Sequence, residues 1–395
     1  MKGQVKRMKA LGLIVEYNPM HNGHLYHLNE SKKLTNPDVT IAVMSGNFTQ
    51  RGEPAIVNKW ERAKMALENG IDLVIELPYA FSNQSANLFA TGAVSILNHL
   101  KVDHLVFGSE SGNIDQLWEL ARRTGDLEFQ QRVKEKLDKG LSLPAAYQEL
   151  DHRYNGSNNT LGIAYLSTIE KLNANLKPLT ISRLASQHTE EIPNHPTIAS
   201  ATAIRKMITE GADYGAYTPC QLDPSVATLQ NWESHYPYLR HKLLTTDPED
   251  LEQIHDMVEG LEHRFIESAK SNSNFEDFVT GVKTKRYTRT RLQRICANVL
   301  TGTTKPDIAQ WDLKKGASYI RILGFTGAGA QYLRQVKKEV EAPIYSTFSR
   351  TAHDMLKHEQ KVTAAYASIY SETNWTNHIE KEFSGQPVQL EPQKQ

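Results

Sequence analysis

Through the first two hundred residues, short and nearly continuous runs of Leu, Ile and Val alternate with segments whose apolar residues recur at helical spacing. Uninterrupted apolar runs are what strands need when helices cover both faces of a parallel sheet. Five runs predict five strands: Ala10–Val15, Val39–Met44, Asp72–Leu77, Asp103–Phe107 and Pro178–Ser182. Between them, Leu25–Lys33 and Lys59–Asn69 carry helical period, and Gly70 stands where the second helix should stop. Ala86, Phe89, Ala90, Ala93 and Leu97 share one face of a helix over 86–97. Residues 115–153 are charged and helical in pattern, Tyr154–Asn159 reads as a loop, and a helix over about Thr160–Leu172 precedes the fifth strand. The polar stretch 185–199 leads to a helix over Ser200–Glu210 that ends at Gly211. The pattern predicts an α/β fold, a doubly wound parallel five-stranded sheet, followed by a mostly α-helical C-terminal domain.

At about 150 residues per domain, the 395 residues correspond to two or three domains. We read 1–215 as the α/β domain, 224–380 as the mostly helical one, and 384–395, with its Pro and Gln, as a disordered tail. No run approaches the ~18 apolar residues of a membrane helix. Ala10–Val15, after the charged Met1–Arg7, is too short for the core of a signal peptide, so a cytoplasmic protein without a membrane partner is expected. Cys220 and Cys296 stand far apart, which supports neither a disulfide framework nor a thiolate metal site. The formal charge is zero, with 45 Lys and Arg against 45 Asp and Glu, but residues 281–340 hold thirteen cations against three acids. Lys283, Lys285, Arg286, Arg289, Arg291 and Arg294 there, with Tyr287 among them, form a candidate phosphate-backbone surface. A solvated helix face that happens to be basic is the plain alternative.

The strongest chemical signal follows the first strand directly: Glu16-Tyr17-Asn18-Pro19-Met20-His21-Asn22-Gly23-His24, opening a helix. In an open parallel sheet, ligands bind at the carboxyl ends of strands, and a helix N-terminus there offers free N–H groups to an anion. Gly23 allows close backbone approach, and two histidines three residues apart can donate to one ligand as negative charge develops on it. His-x-Gly-His so placed points to nucleotidyl transfer at an α-phosphate; no Walker A loop and no Gly-x-Gly-x-x-Gly after the first strand competes with it. Taken alone, the two histidines could equally be a helix cap and a surface residue, and without a carboxylate or thiol at ligand spacing they make no preformed metal site. Gly108, ending the fourth strand, would face this loop across the crevice if strands one and four are neighbours. Ser200 and Thr202 open a helix one turn before Arg205, an arrangement suited to a terminal phosphate. The long polar loop Ser45–Pro54, followed by Lys59, is expected to close over substrate; Asn159 is placed to read a base or ribose, with a simple turn over 155–159 as the equal alternative.

On these residues the sequence resembles the bacterial tRNA(Met) cytidine acetate ligases. The likeness rests on Gly12 through His27, Ser45 through Pro54, Asp72 through Pro78, Phe107-Gly108-Ser109-Glu110 and Ser200 through Arg205. It runs from Met8, which the family suggests as the usual start, nearly to the tail, and is looser beyond residue 210. The resemblance implies a HIGH-type, Rossmann-like nucleotidyltransferase fold. It also implies an enzyme that uses ATP and acetate to form acetyl-adenylate and pyrophosphate. Acetyl would then pass to the N4 amine of the wobble cytidine in the anticodon of elongator tRNA(Met), giving N4-acetylcytidine. The implied ATP contacts are Ile14, Val15, Glu16, Tyr17, Asn18, Pro19, Met20, His21, Asn22, Gly23, His24, Leu25, Tyr26, His27, Gly108, Asn159 and Arg183, with Ser200 and Thr202 beside the phosphates. His21 and His24 would act as catalytic residues, with Lys59 and Arg205 as helpers on acetate or pyrophosphate. Mg2+ would travel with the phosphates, the basic segment would hold tRNA, and no obligate protein partner is evident. Met20 stands where the family leads one to expect an aromatic residue, and Asn58 where it leads one to expect aspartate. Two other readings stay open: a small-molecule nucleotidyltransferase, and an ATP-binding, RNA-binding module without catalysis. A class I aminoacyl-tRNA synthetase is disfavoured, because no Lys-Met-Ser-Lys-Ser-like segment follows.

Overall fold

The computed structural model describes residues 7–182, 195–220, 222, 230–348 and 353–390. In chain order they form β1 (Ala10–Val15), α1 (Asn22–Thr35), β2 (Val39–Ser45), α2 (Lys59–Glu68), β3 (Leu73–Leu77), α3 (Tyr79–Ser82), α4 (Ala86–His99) and β4 (His104–Ser109). Then come α5 (Ile114–Arg123), α6 (Leu127–Asp138), α7 (Leu143–Leu150), α8 (Ser157–Lys171), β5 (Lys177–Ser182) and α9 (Ala201–Glu210). The C-terminal part adds α10 (Trp232–Thr245), α11 (Pro248–Glu252), α12 (Leu261–Ser271), α13 (Phe275–Val282), α14 (Arg289–Thr301), α15 (Lys305–Trp311), β6 (Ile320–Thr326), α16 (Gly327–Val336), β7 (Ile344–Tyr345), α17 (Asp354–Ala367), α18 (Glu372–Ser384) and β8 (Val388–Leu390).

All five predicted strands are present and parallel, in the order β5-β4-β1-β2-β3. Alternate residues of each strand feed opposite layers, as a pleated strand requires. Ile41, Val43, Leu73, Ile75, Leu105 and Phe107 pack with α4 and α8, whereas Leu11, Leu13, Ala42, Met44, Val74 and Val106 pack with α1 and α2. This is the doubly wound arrangement. At the crossing of β1 and α4 the layers come very close, since a Cβ on Gly12 would stand 2.8 Å from Leu97 Cδ2. A larger residue there would push α4 off the sheet.

The structure corrects the sequence reading in three places. Among the described residues the sheet has eight strands rather than five, because β6 pairs antiparallel with β3 and carries β7 and β8 alongside it. Arg321 and Gly324 interrupt the apolar run of β6, which hides it inside a stretch that otherwise reads as basic and helical. Val388–Leu390, expected in a disordered tail, is β8, paired with Gly324–Thr326; residues 391–395 lie outside the described residues. β5 is an edge strand with exposed ends, so only one of its long sides is covered. A separate apolar cluster built by α10, α12, α13, α14 and α17 takes in Phe48 from the loop after β2 and Tyr79 from the start of α3. These two rings fasten the C-terminal helices to the strand-end side of the sheet.

Candidate active site at the strand ends

β1 and β4 are neighbours, with Leu11 beside His104 and Gly12 beside Leu105, so their carboxyl ends lie side by side, where a doubly wound sheet places its ligand crevice. Gly108, near the end of β4, is half-buried at that rim, as the strand order predicts. After β1 the chain turns through Tyr17, whose φ of 48° is the left-handed conformation, and enters α1 with His21 as N-cap. The His21 N–H donates to His24 Nδ1 at 3.3 Å, and the two imidazoles stack with centroids 3.6 Å apart. Tyr17 meets the His24 ring edge-on at 5.1 Å. A side chain at position 23 has no room: its Cβ would lie 2.9 Å from His21 Cε1. The two aligned imidazoles thus stand at a helix N-terminus, on the ligand end of a parallel sheet, where the unpaired N–H groups and the helix dipole favour an anion.

The loop that carries the histidines is pinned from several sides. Asn18 Oδ1 accepts from the Ile56 N–H at 2.7 Å, Asn22 Nδ2 donates to the carbonyls of Thr197 and Ala216, and Thr218 Oγ1 donates to the Met20 carbonyl at 2.7 Å. Met20 is fully buried in the apolar layer with Leu13 and Trp60, so the departure from an aromatic there is a packing change. Arg205 reaches back from α9: Nη1 donates to the Asn18 carbonyl at 2.9 Å, and Nη2 meets Glu53 Oε2 at 3.0 Å and Thr202 Oγ1 at 3.4 Å. Ser200 caps α9 by accepting from the Ala203 N–H at 3.0 Å. The structure therefore brings Arg205, Ser200 and Thr202 to the strand-one loop. Arg183 lies outside the described residues.

Three expectations change. Lys59 does not face the crevice: it is 0% exposed, with Nζ 2.6 Å from Glu76 Oε1 and 2.9 Å from Glu382 Oε2. Arg321 completes the buried network through Glu76 at 3.3 Å and Glu382, so Lys59 is held as an internal counter-charge away from solvent. It also follows that Arg321 is no part of the basic surface. The loop Ser45–Pro54 is not a lid. Phe48 and Thr49 are buried, the Thr49 N–H donates to the Glu53 carbonyl at 2.9 Å, and Gly52 (φ 75°) sits so close to α14 that a Cβ there would be 2.4 Å from Arg294 N. Asn159 spends its carboxamide oxygen on the N–H groups of Glu110 and Ser111, at 3.0 and 3.3 Å, and Nδ2 on the Asn155 carbonyl. In return Glu110 accepts from the N–H groups of Asn158 and Asn159 at the start of α8. Asn159 thus holds the loop after Gly108 in place rather than aiming its carbonyl at a base.

Sequence reasoning missed Arg62 and the Glu16 environment. The Arg62 guanidinium is fully buried and donates to the carbonyls of Val57, Glu16, Ser45 and Gly46, tying the ends of β1 and β2 together. Burial pulls its pKa down to about 10. The Glu16 carboxyl is pushed up by burial, against the Gln50 N–H that donates to Oε1 at 2.6 Å and the charge of Arg51. No local pattern signals either; Glu76, a charge inside an otherwise apolar strand, demands a buried partner, but that demand is met by Lys59 and Arg321. Asn58 caps α2 by accepting from the N–H groups of Trp60 and Glu61 at 3.0 Å, a role that needs no charge.

Among the candidate RNA contacts, Lys283, Lys285 and Arg286 are exposed between α13 and α14. Arg289 is held in a two-point ion pair with Glu276, Arg291 lies 5.2 Å over the Tyr287 ring, and Arg294 is half-buried against the loop of Gly52. No helix among the described residues is long and apolar enough to cross a membrane.

A stacked histidine pair at a helix N-terminus, on the switch point of a parallel sheet, is the geometry of a nucleotidyl transferase. Residues 8–382 match the family described as HIGH Nucleotidyl Transferase. The chain is 42% identical to the tRNA(Met) cytidine acetate ligase of Geobacillus sp. (strain WCH70), over 96% of this chain and all of that one. It is 40% identical to the tRNA(Met) cytidine acetate ligase of Bacillus subtilis (strain 168), over 98% of this chain and 99% of that one. Its fold matches the crystal structure of Thermotoga maritima TmcAL bound with alpha-thio ATP, with a TM-score of 0.87, 33% identity, and coverage of 98% of this chain and 100% of that one. The chain belongs to the HIGH nucleotidyl transferase family, and within it to the tRNA(Met) cytidine acetate ligases.

Proposed function

We propose that this protein joins acetate to ATP as acetyl-adenylate, with release of pyrophosphate, and then passes the acetyl group to the N4 amine of the wobble cytidine of elongator tRNA(Met). The observation that carries the reading is the stacked His21–His24 pair at the N-terminus of α1, beside the rim formed by Gly108. Acetate oxygen attacks the α-phosphorus in line, and the imidazoles and the N–H groups of α1 stabilise the charge that builds on the phosphate oxygens. Ile14 to His27 hold the nucleotide, and Arg205 with Thr202 meets the leaving pyrophosphate after exchanging Glu53 for it. Arg183 is assigned to the nucleotide on the strength of the family likeness alone. Among the described residues no three His, Cys, Asp or Glu side chains gather to hold an ion, so Mg2+ is assigned to the triphosphate, whose charge it would offset. Residues 1–215 supply the ATP and acetate site, and 224–380 take the tRNA, with Lys283, Lys285 and Arg286 on its phosphates. A cytoplasmic enzyme that needs no protein partner fits this chemistry.

Acetate-dependent exchange of labelled pyrophosphate into ATP tests the first step. Exchange that requires acetate supports the reading. Exchange that is absent, or indifferent to acetate, favours the ATP-binding RNA module or a different acceptor.

A further inference from the structure

Glu16 is the residue of the strand-one loop that a nucleotide site explains least. It stands at the carboxyl end of β1, where a triphosphate and acetate, both anions, are to be held, and a carboxylate there opposes both. Yet its position is built with care. The Gln50 N–H donates to Oε1 at 2.6 Å, Arg62 Nη1 donates to its backbone carbonyl at 2.6 Å, and the segment 49–53 that holds it also packs through Gly52 on the backbone of α14. Glu16 is therefore fixed at the junction between the nucleotide loop and the basic helix. The charged groups around it are Arg51 and Glu53 from the loop and Arg62 from α2, and the Tyr165 hydroxyl of α8 also feels its charge.

The two half-reactions differ in their protons. Attack of acetate on the α-phosphorus with loss of pyrophosphate transfers none, whereas acylation of an amine must release one. His21 and His24 are stacked on each other at the phosphate cradle. We propose that Glu16 is the general base of the acyl-transfer step, an inference that rests on the ligase reading above. The N4 nitrogen forms a bond to the acetyl carbon. The bond from that carbon to the phosphate oxygen breaks, AMP leaves with its electron pair, and the amine proton passes to the Glu16 carboxylate. Burial raises the affinity of this carboxyl for a proton, opposed by the Gln50 N–H and by the charges of Arg51 and Arg62.

The test uses the full chain with Glu16→Gln, which keeps the oxygen that accepts from Gln50, and Glu16→Asp. Pyrophosphate exchange and single-turnover acetyl transfer to tRNA are measured side by side across pH. In Glu16→Gln, transfer should fall at least ~100-fold further than exchange does, and the acid limb of its pH profile should vanish; Glu16→Asp should restore part of the rate. Equal losses in both steps would make Glu16 a nucleotide-positioning residue and overturn the proposal, as would transfer at the wild-type rate. If Glu16→Gln does not fold, an acid limb that shifts in Glu16→Asp supports the base, and one that does not move overturns it. A wild-type protein that transfers no acetyl group to tRNA would instead sink the ligase reading on which the proposal stands.

Discussion

The His21–His24 stack fixes two imidazoles by their own local contacts, a backbone N–H to a ring nitrogen and a glycine between them. Replacing either histidine by alanine should lower acetate-dependent pyrophosphate exchange by ~10²–10³, the usual cost of losing one preorganised donor, with folding intact by circular dichroism. Because the rings hold each other, the double replacement should cost less than the product of the singles. Such a site is legible in a sequence because all its parts lie within a few residues. Lys59 was misread for the opposite reason. What surrounds it comes from Glu76 on β3 and Glu382 on α18 near the far end of the chain, and no local pattern announces a partner so distant. Asn58 is again local: Asn58→Asp should keep the α2 cap within a few tenths of a kcal/mol, whereas Asn58→Ala should lose about 1 kcal/mol in urea unfolding.

At the scale of elements, the five parallel strands were legible because strands buried on both faces must be apolar throughout. β6 was not, since Arg321 in its middle is tolerated only by the buried carboxylates of Glu76 and Glu382. That network joins α2, β3, β6 and α18. Burial alone would raise the Glu382 carboxyl, but Arg321 and Lys59 together bring it down to about 2. Lys59→Met removes one of the network's two cations and leaves the carboxylates short of compensation. It should destabilise the protein by ~3–5 kcal/mol in chemical denaturation, far more than an exposed lysine would. A loss below about 1 kcal/mol would mean that the network is wet or dispensable. The loop Ser45–Pro54 is polar in sequence, and its polarity hid that Phe48 and Gly52 pack it against the C-terminal helices.

For the whole molecule, the interior carboxylates set how stability depends on pH. Burial and the neighbouring Glu76 push the Glu359 carboxyl up to about 8, from an ordinary 4.5. The folded protein keeps this proton where the unfolded chain has lost it, so this group makes stability fall as pH rises from about 5 to about 8. Glu359→Gln should flatten that part of the profile in urea titrations; an unchanged slope would assign it to another group. The basic end of the molecule makes a separate demand: tRNA binding should weaken with salt, and removing Lys283, Lys285 or Arg286 should each reduce the log–log slope by about 1. Both ends meet in one assay. Labelled acetate, ATP and total bacterial tRNA are incubated with the protein, and the tRNA is digested to nucleosides. Label should appear in N4-acetylcytidine only when ATP is present; tRNA that stays unlabelled while acetate-dependent pyrophosphate exchange proceeds would contradict the account at its second step.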